Sequence, residues 1–241
     1  MMSNKKIFIP GFFTSLNLFA GFLSVIQAVE HDYTTAAWLI VVAVLCDGLD
    51  GKLARATHSE SFFGFQMDSL ADVIASGLAP ALLVHLGMFQ EATGCGIVIG
   101  FLYLFAGATR LARHNSIHRI SKVQEYEGLP VPVCGMTVAS FWIFLEEFHL
   151  RIHPIQWMVL LSVLSVLMVS RVPYRWPKIR FHGSSTRILV SVLFLIVSIA
   201  MIVFTAKVLF VVMVFYIIIL LMNSAFHGFV RKGSFHKMKV S

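Results

Sequence analysis

The sequence predicts an all-α, polytopic membrane protein with about eight transmembrane helices and both termini in the cytoplasm. Three observations predict it. Apolar residues make up 58% of the 241 positions, charged residues 13%, and mean hydropathy is +0.82; an ordinary soluble domain carries about 25% charged residues. Eight segments approach the roughly 20 mostly apolar residues that a membrane crossing requires. The basic residues are distributed between alternate connections as the positive-inside rule demands. The same composition excludes a soluble, disordered, collagenous or disulfide-framed chain.

The first expected span covers about 11–30, after Lys5, Lys6 and Pro10. Its apolar run is too long for the h-region of a cleaved signal peptide, so it reads as a span. The next three cover about 35–56, 62–86 and 94–113. Gly128, Pro130 and Pro132 punctuate the entry to a fifth at 131–148, and a sixth follows at 155–171. A basic loop from Arg171 to Arg187 leads to a tight hairpin of spans at 187–206 and 208–228, joined around Lys207. Residues 1–180 form the expected core and 181–241 a C-terminal hairpin with a basic tail.

With eight spans, 17 of the 19 basic residues fall on the side of the N-terminus, leaving Arg151 and Lys207 opposite. That asymmetry puts both termini in the cytoplasm. It also accounts for the net charge of +7 as topology plus attraction to anionic lipid, with no nucleic-acid partner needed. Cys46, Cys95 and Cys134 lie in apolar stretches without CxxC spacing and read as packing residues. The ten histidines show no ligand spacing such as HExxH. Trp142, Trp157 and Trp176 fall near span ends, where indoles anchor helices at the interface.

Spans two and three carry acids that a lipid-facing helix would not tolerate. Asp47 and Asp50 are three apart, and Asp68 and Asp72 four apart. Each spacing places its pair on one helix face, one turn apart. A short loop between the helices brings four carboxylates together, each costly near hydrocarbon. Divalent cations are the simplest relief. All-oxygen ligands suit hard ions such as Mg²⁺, Mn²⁺ or Ca²⁺ rather than zinc. Gly48, Gly51, Ala54 and Gly64 keep the surrounding faces small, through close helix packing or to admit a bulky polar ligand such as a pyrophosphate.

Asp47-x-x-Asp50-Gly51-x-x-Ala54-Arg55, followed after eight residues by Gly64-x-x-x-Asp68-x-x-x-Asp72, resembles the signature of CDP-alcohol phosphotransferases at all eight positions. Further segments are similar to the bacterial and archaeal phosphatidylserine synthase branch of that family. They are FGFQMDSLADVIASGLAPALL (63–83), RLARHN (110–115), YEGLPVP (126–132), SRVPY (170–174) and IPGFFTSLNLFAGF (9–22). The chain departs from that branch at Gly11, where Asn is common, and at His114, where Phe is usual. The likeness covers roughly 9–180.

The resemblance implies CDP-diacylglycerol as donor, L-serine as acceptor, two divalent cations (Mg²⁺ or Mn²⁺), and a homodimer. It implies Asp47, Asp50, Asp68 and Asp72 as metal ligands, with Asp72 also the general base. Gly51, Arg55 and Ser61 would contact the CDP moiety; Ser61 also reads as the N-cap of span three. Thr14 and Asn17, on span one, line the nucleotide pocket or hydrogen-bond between helices. Serine's carboxylate calls for a cation, and a guanidinium grips it well. Arg110 and Arg113, on one face of span four, and Arg171 are the candidates. The active site would open to the cytoplasm and inner leaflet of the cell membrane. Glycerol 3-phosphate or an inositol phosphate as acceptor is the nearest alternative. An ion-coupled transporter fits less well, because the acids lie in one stretch with no second copy.

Overall fold

The computed structural model describes residues 4–57, 61–89, 93–120, 128–170, 209–219 and 221–222. Among these every regular element is a helix: α1 (Asn4–Val29), α2 (Tyr33–Thr57), α3 (Phe62–Asp72), a π-helical turn (Val73–Leu78), α4 (Ala79–Met88), α5 (Thr93–Ile120), α6 (Val131–Glu147), α7 (Pro154–Val169) and α8 (Leu209–Ile219).

Among the described residues four stretches are long and apolar enough to cross a membrane: Gly11–Val29, Tyr33–Lys52, Phe62–Met88 and Gly94–Ser116. They coincide within a few residues with the first four expected spans. The expected fifth and sixth are α6 and α7, helices of 17 and 16 residues, at or below the short end of crossing lengths. The expected seventh, at 187–206, lies outside the described residues, and the eighth is described only through α8 and residues 221–222. The basic loop and the tail lie outside them as well.

Two helix ends carry no glycine signal. His31 takes φ +66° and His149 φ +50°. The Asp32 amide donates to Gln27 O at 2.9 Å and that of Leu150 to Leu145 O at 2.8 Å. These are left-handed C-terminal caps that pair the last carbonyls. Asp32 then caps α2, accepting from the Thr35 amide at 3.0 Å. The Thr35 hydroxyl and amide together hold the Asp32 carboxyl below its usual range. At the start of α7, His153 and Gln156 form a reciprocal capping box ahead of Pro154.

Helix α1 lies along α2, α2 against α6, and α5 against α7. Trp142 and Trp157 are not interfacial anchors. They are 2% and 0% exposed, with ring centroids 5.5 Å apart, and they join Tyr103, Leu83 and Phe89 in the core. Sequence position near a span end does not reveal which way a helix is rotated, and here both indoles turn inward. Trp176 is outside the described residues. Phe12, Phe19, Phe22, Phe101 and Phe105 occupy the outer surface, as faces turned to hydrocarbon should.

The third span is not one regular helix. Pro80 has no amide hydrogen and cannot donate to the carbonyl of Ser76, four residues back. The chain widens into the π-helical turn at that place. Tyr103 of α5 supplies the missing donor, its hydroxyl lying 3.1 Å from Ser76 O. The turn is touched by α1, α2, α5 and α6. From α1 the approach needs Gly21, since a Cβ there would lie 2.6 Å from the Ala75 Cα. Gly128 (φ +79°) opens α6 beside the end of α7, where a Cβ would run into the Met168 carbonyl oxygen.

Tyr103→Phe leaves the Ser76 carbonyl buried without its partner. It is expected to lower stability by about 1–3 kcal/mol, read as the shift in equilibrium unfolding in mixed micelles.

Candidate metal centre

Asp47 and Asp50 sit on α2, and Asp68 and Asp72 on α3. One oxygen from each of Asp47, Asp50 and Asp68 comes within 4.8 Å of the other two. Asp50 is 4% exposed, and Asp47 and Asp68 are half-buried. Asp47 and Asp68 lie within hydrogen-bonding range of each other. Asp68 Oδ1 is buried with no hydrogen-bond partner among the described residues. Three converging carboxylates, one with an unpartnered buried oxygen, fit a hard divalent cation. Asp72 lies one turn deeper, 6% exposed, and outside that three-acid cluster.

The other expected site residues separate into those near the acids and those elsewhere. Thr14 Oγ1 donates to Asp50 Oδ2 at 2.8 Å, and Asn17 Nδ2 to Asp72 Oδ1 at 3.3 Å. Arg110 is 7% exposed and within electrostatic reach of Asp72. Arg113 goes another way. Its guanidinium donates to Val169 O at 3.0 Å and Ser170 O at 3.3 Å, tying α5 to the end of α7. Arginines three apart share a face only loosely, and the partner elements split these two. Gly51 is half-buried on α2. Arg55 belongs to α2, but its side chain is outside the described residues, as is Arg171. Ser61 caps α3, accepting from the Gly64 amide at 3.0 Å.

Gly48 helps decide what the small residues are for. A Cβ there would meet nothing within 4 Å, so it packs against no other helix. At Gly64 the nearest atom is the Ser61 hydroxyl, 3.0 Å away. Neither glycine is needed for contact with another helix: Gly48 faces open space, and Gly64 meets only the residue that caps its own helix.

Asn115 is a site residue that sequence reasoning passed over. Its Nδ2 donates to Gln66 Oε1 at 3.1 Å, and its Oδ1 accepts from Ser69 Oγ at 3.3 Å. It thereby clamps α5 to the turn of α3 that bears Asp68. The available signal was its place at the end of RLARHN, but a polar residue at a helix end has many uses.

The family profile of CDP-alcohol phosphatidyltransferase matches residues 7–170. A CDP-diacylglycerol–serine O-phosphatidyltransferase of Helicobacter pylori is 34% identical over 176 residues, covering 72% of this chain and 74% of the relative. The archaetidylserine synthase of Methanothermobacter thermautotrophicus is 35% identical over 192 residues, covering 77% and 78%. A CDP-diacylglycerol–serine O-phosphatidyltransferase of Mycobacterium tuberculosis is 30% identical over 174 residues, covering 69% and 60%.

Removing one clustered carboxylate relieves repulsion and would remove a candidate cation ligand. Asp68→Asn is therefore expected to melt higher than the parent protein in EDTA. It should also lose the stabilisation that Mn²⁺ brings, about 2.7 kcal/mol at a hundred times the dissociation constant. Thermal melts with and without Mn²⁺ check both.

Proposed function

This chain belongs to the CDP-alcohol phosphatidyltransferase family, and from that premise we propose that it transfers the phosphatidyl group of CDP-diacylglycerol to the hydroxyl of L-serine, giving phosphatidylserine and CMP. The observation that carries the chemistry is the convergence of Asp47, Asp50 and Asp68, with Asp72 one turn away between Asn17 and Arg110. Support for serine comes from the relatives, whose names share serine while differing in the lipid.

Asp47, Asp50 and Asp68, with Asp72 at the edge of the set, would hold two divalent cations, Mg²⁺ or Mn²⁺. Held there, they would supply neutralisation of charge on the transferring phosphoryl group and on the departing CMP. Asp72 takes the proton from the serine hydroxyl. The serine oxygen bonds to the phosphorus that carries diacylglycerol, and the bond from that phosphorus to the oxygen of CMP breaks. Arg110 receives the serine carboxylate, since it is the described guanidinium beside Asp72. Gly51, Arg55 and Ser61 take the CDP moiety, as the resemblance implies. The site faces the cytoplasm and the inner leaflet, where the excess of basic residues lies, and the donor's acyl chains stay in lipid. The working unit is a homodimer, as the resemblance implies.

The test is CMP release from CDP-diacylglycerol by purified protein in detergent, with serine, glycerol 3-phosphate or inositol phosphate in parallel. Serine-dependent release that EDTA abolishes is the expected result; turnover with another acceptor alone overturns the serine assignment. Asp72→Asn should lower kcat by about a hundred- to ten-thousandfold while CDP-diacylglycerol still binds. Arg110→Ala should raise the KM for serine roughly ten- to a hundredfold, as loss of a charge-assisted hydrogen bond does. An unchanged KM removes Arg110 from that role.

A further inference from the structure

Helix α1 carries none of the four acids, yet it touches both helices that do. Thr14 and Asn17 are 6% and 0% exposed, one turn apart. They reach across 36 and 55 residues of sequence to Asp50 and Asp72 respectively. Ser15, between them, donates to the Gly11 carbonyl of its own helix at 2.8 Å, the common habit of a helical serine. Asn17 is kept inside at a cost. Its Oδ1 is buried without a hydrogen-bond partner among the described residues, and an apolar residue of similar size would avoid that penalty. Gly21, one further turn along the same face, lets α1 close onto Ala75. That contact fixes the height of both donors relative to the acids.

An aspartate's last torsion is broad and weakly restrained. A donor placed on one carboxylate oxygen fixes that torsion, and with it the direction of the other oxygen. We infer that α1 sets how the carboxylates are presented: Thr14 and Asn17 are positioning residues, Thr14 for Asp50 as a metal ligand and Asn17 for Asp72 as the proton acceptor. The inference rests on the roles proposed above for those two acids. It gives Thr14 and Asn17 different duties, because Asp50 lies inside the three-acid cluster and Asp72 outside it.

The experiment measures Mn²⁺ affinity, from the electron paramagnetic resonance signal of the free ion, and steady-state kinetics on the same detergent-purified variants. Thr14→Val should weaken Mn²⁺ binding about ten- to a hundredfold, the usual effect of removing a group that holds a ligand. Thr14→Ser, which keeps the hydroxyl, should restore it. Asn17→Leu should keep the Mn²⁺ held by Asp47, Asp50 and Asp68 and keep both KM values, with kcat down roughly a hundredfold from a misplaced base. Its intact Mn²⁺ binding also shows that the site is folded. Asp50→Asn and Asp72→Asn are the reference variants. If Asp50→Asn loses Mn²⁺ and Thr14→Val does not, or Asp72→Asn loses turnover and Asn17→Leu does not, α1 is not the positioning element. If Asp50→Asn binds Mn²⁺ normally or Asp72→Asn turns over normally, the role of that acid fails and the inference falls with it.

Discussion

Mutual repulsion among acidic groups in a poorly solvated place is the constraint to which the surrounding structure answers. At an effective dielectric constant of about 20, two like charges 4 Å apart repel by about 4 kcal/mol. Asp47, Asp50 and Asp68 approach that separation, and Asp72 is close behind. Three neighbours reduce the cost. Thr14 and Asn17 donate hydrogen bonds to two of the acids, and Arg110 brings positive charge close to the deepest. The buried, unpartnered Asp68 Oδ1 is the part of the cost that the described side chains leave unmet. A divalent cation held there would meet it and would couple metal binding to the stability of the bundle.

Holding that cluster requires helices at fixed rotation and depth, and the apolar packing supplies the rigidity. The π-helical turn is the central device. Pro80 opens it, the Tyr103 hydroxyl satisfies the Ser76 carbonyl, and Gly21 lets α1 close onto it. The turn begins at the residue after Asp72, so the register of the last acid depends on it. On the far side of α3, Asn115 fixes the turn that carries Asp68 through Gln66 and Ser69. The acids on α3 are thus held from α1 and from α5. The Trp142–Trp157 pair packs α6 against α7 within the same core.

Much of this was legible in the residues. Composition and hydropathy predicted an all-helical chain, and the first four spans stand where apolar runs of about 20 residues placed them. The three- and four-residue spacings put each pair of acids on one face, and the structure brings three of the four together. Other features were not legible. His31 and His149 end helices where no glycine marks the stop. The π-helical turn was signalled only by Pro80, a residue that also occurs in kinked or broken helices. Arg110 and Arg113 look equivalent by spacing, yet one is buried beside Asp72 and the other holds the end of α7. Asn115 was marked only by its place at the end of RLARHN.

The division has a physical cause. Helical periodicity is a local property, repeating every 3.6 residues, so spacing alone determined which side chains share a face. That was enough for the two acid pairs, while the class of reaction came from the resemblance of the acid motif to a known family. Which face turns inward, how deep each helix sits and which residue of a pair meets a distant partner depend on contacts between segments far apart in the chain. Tertiary structure alone therefore decided that Trp142 and Trp157 are core residues, that Arg113 binds backbone carbonyls, and that Thr14 and Asn17 reach from α1 to the acids of two other helices.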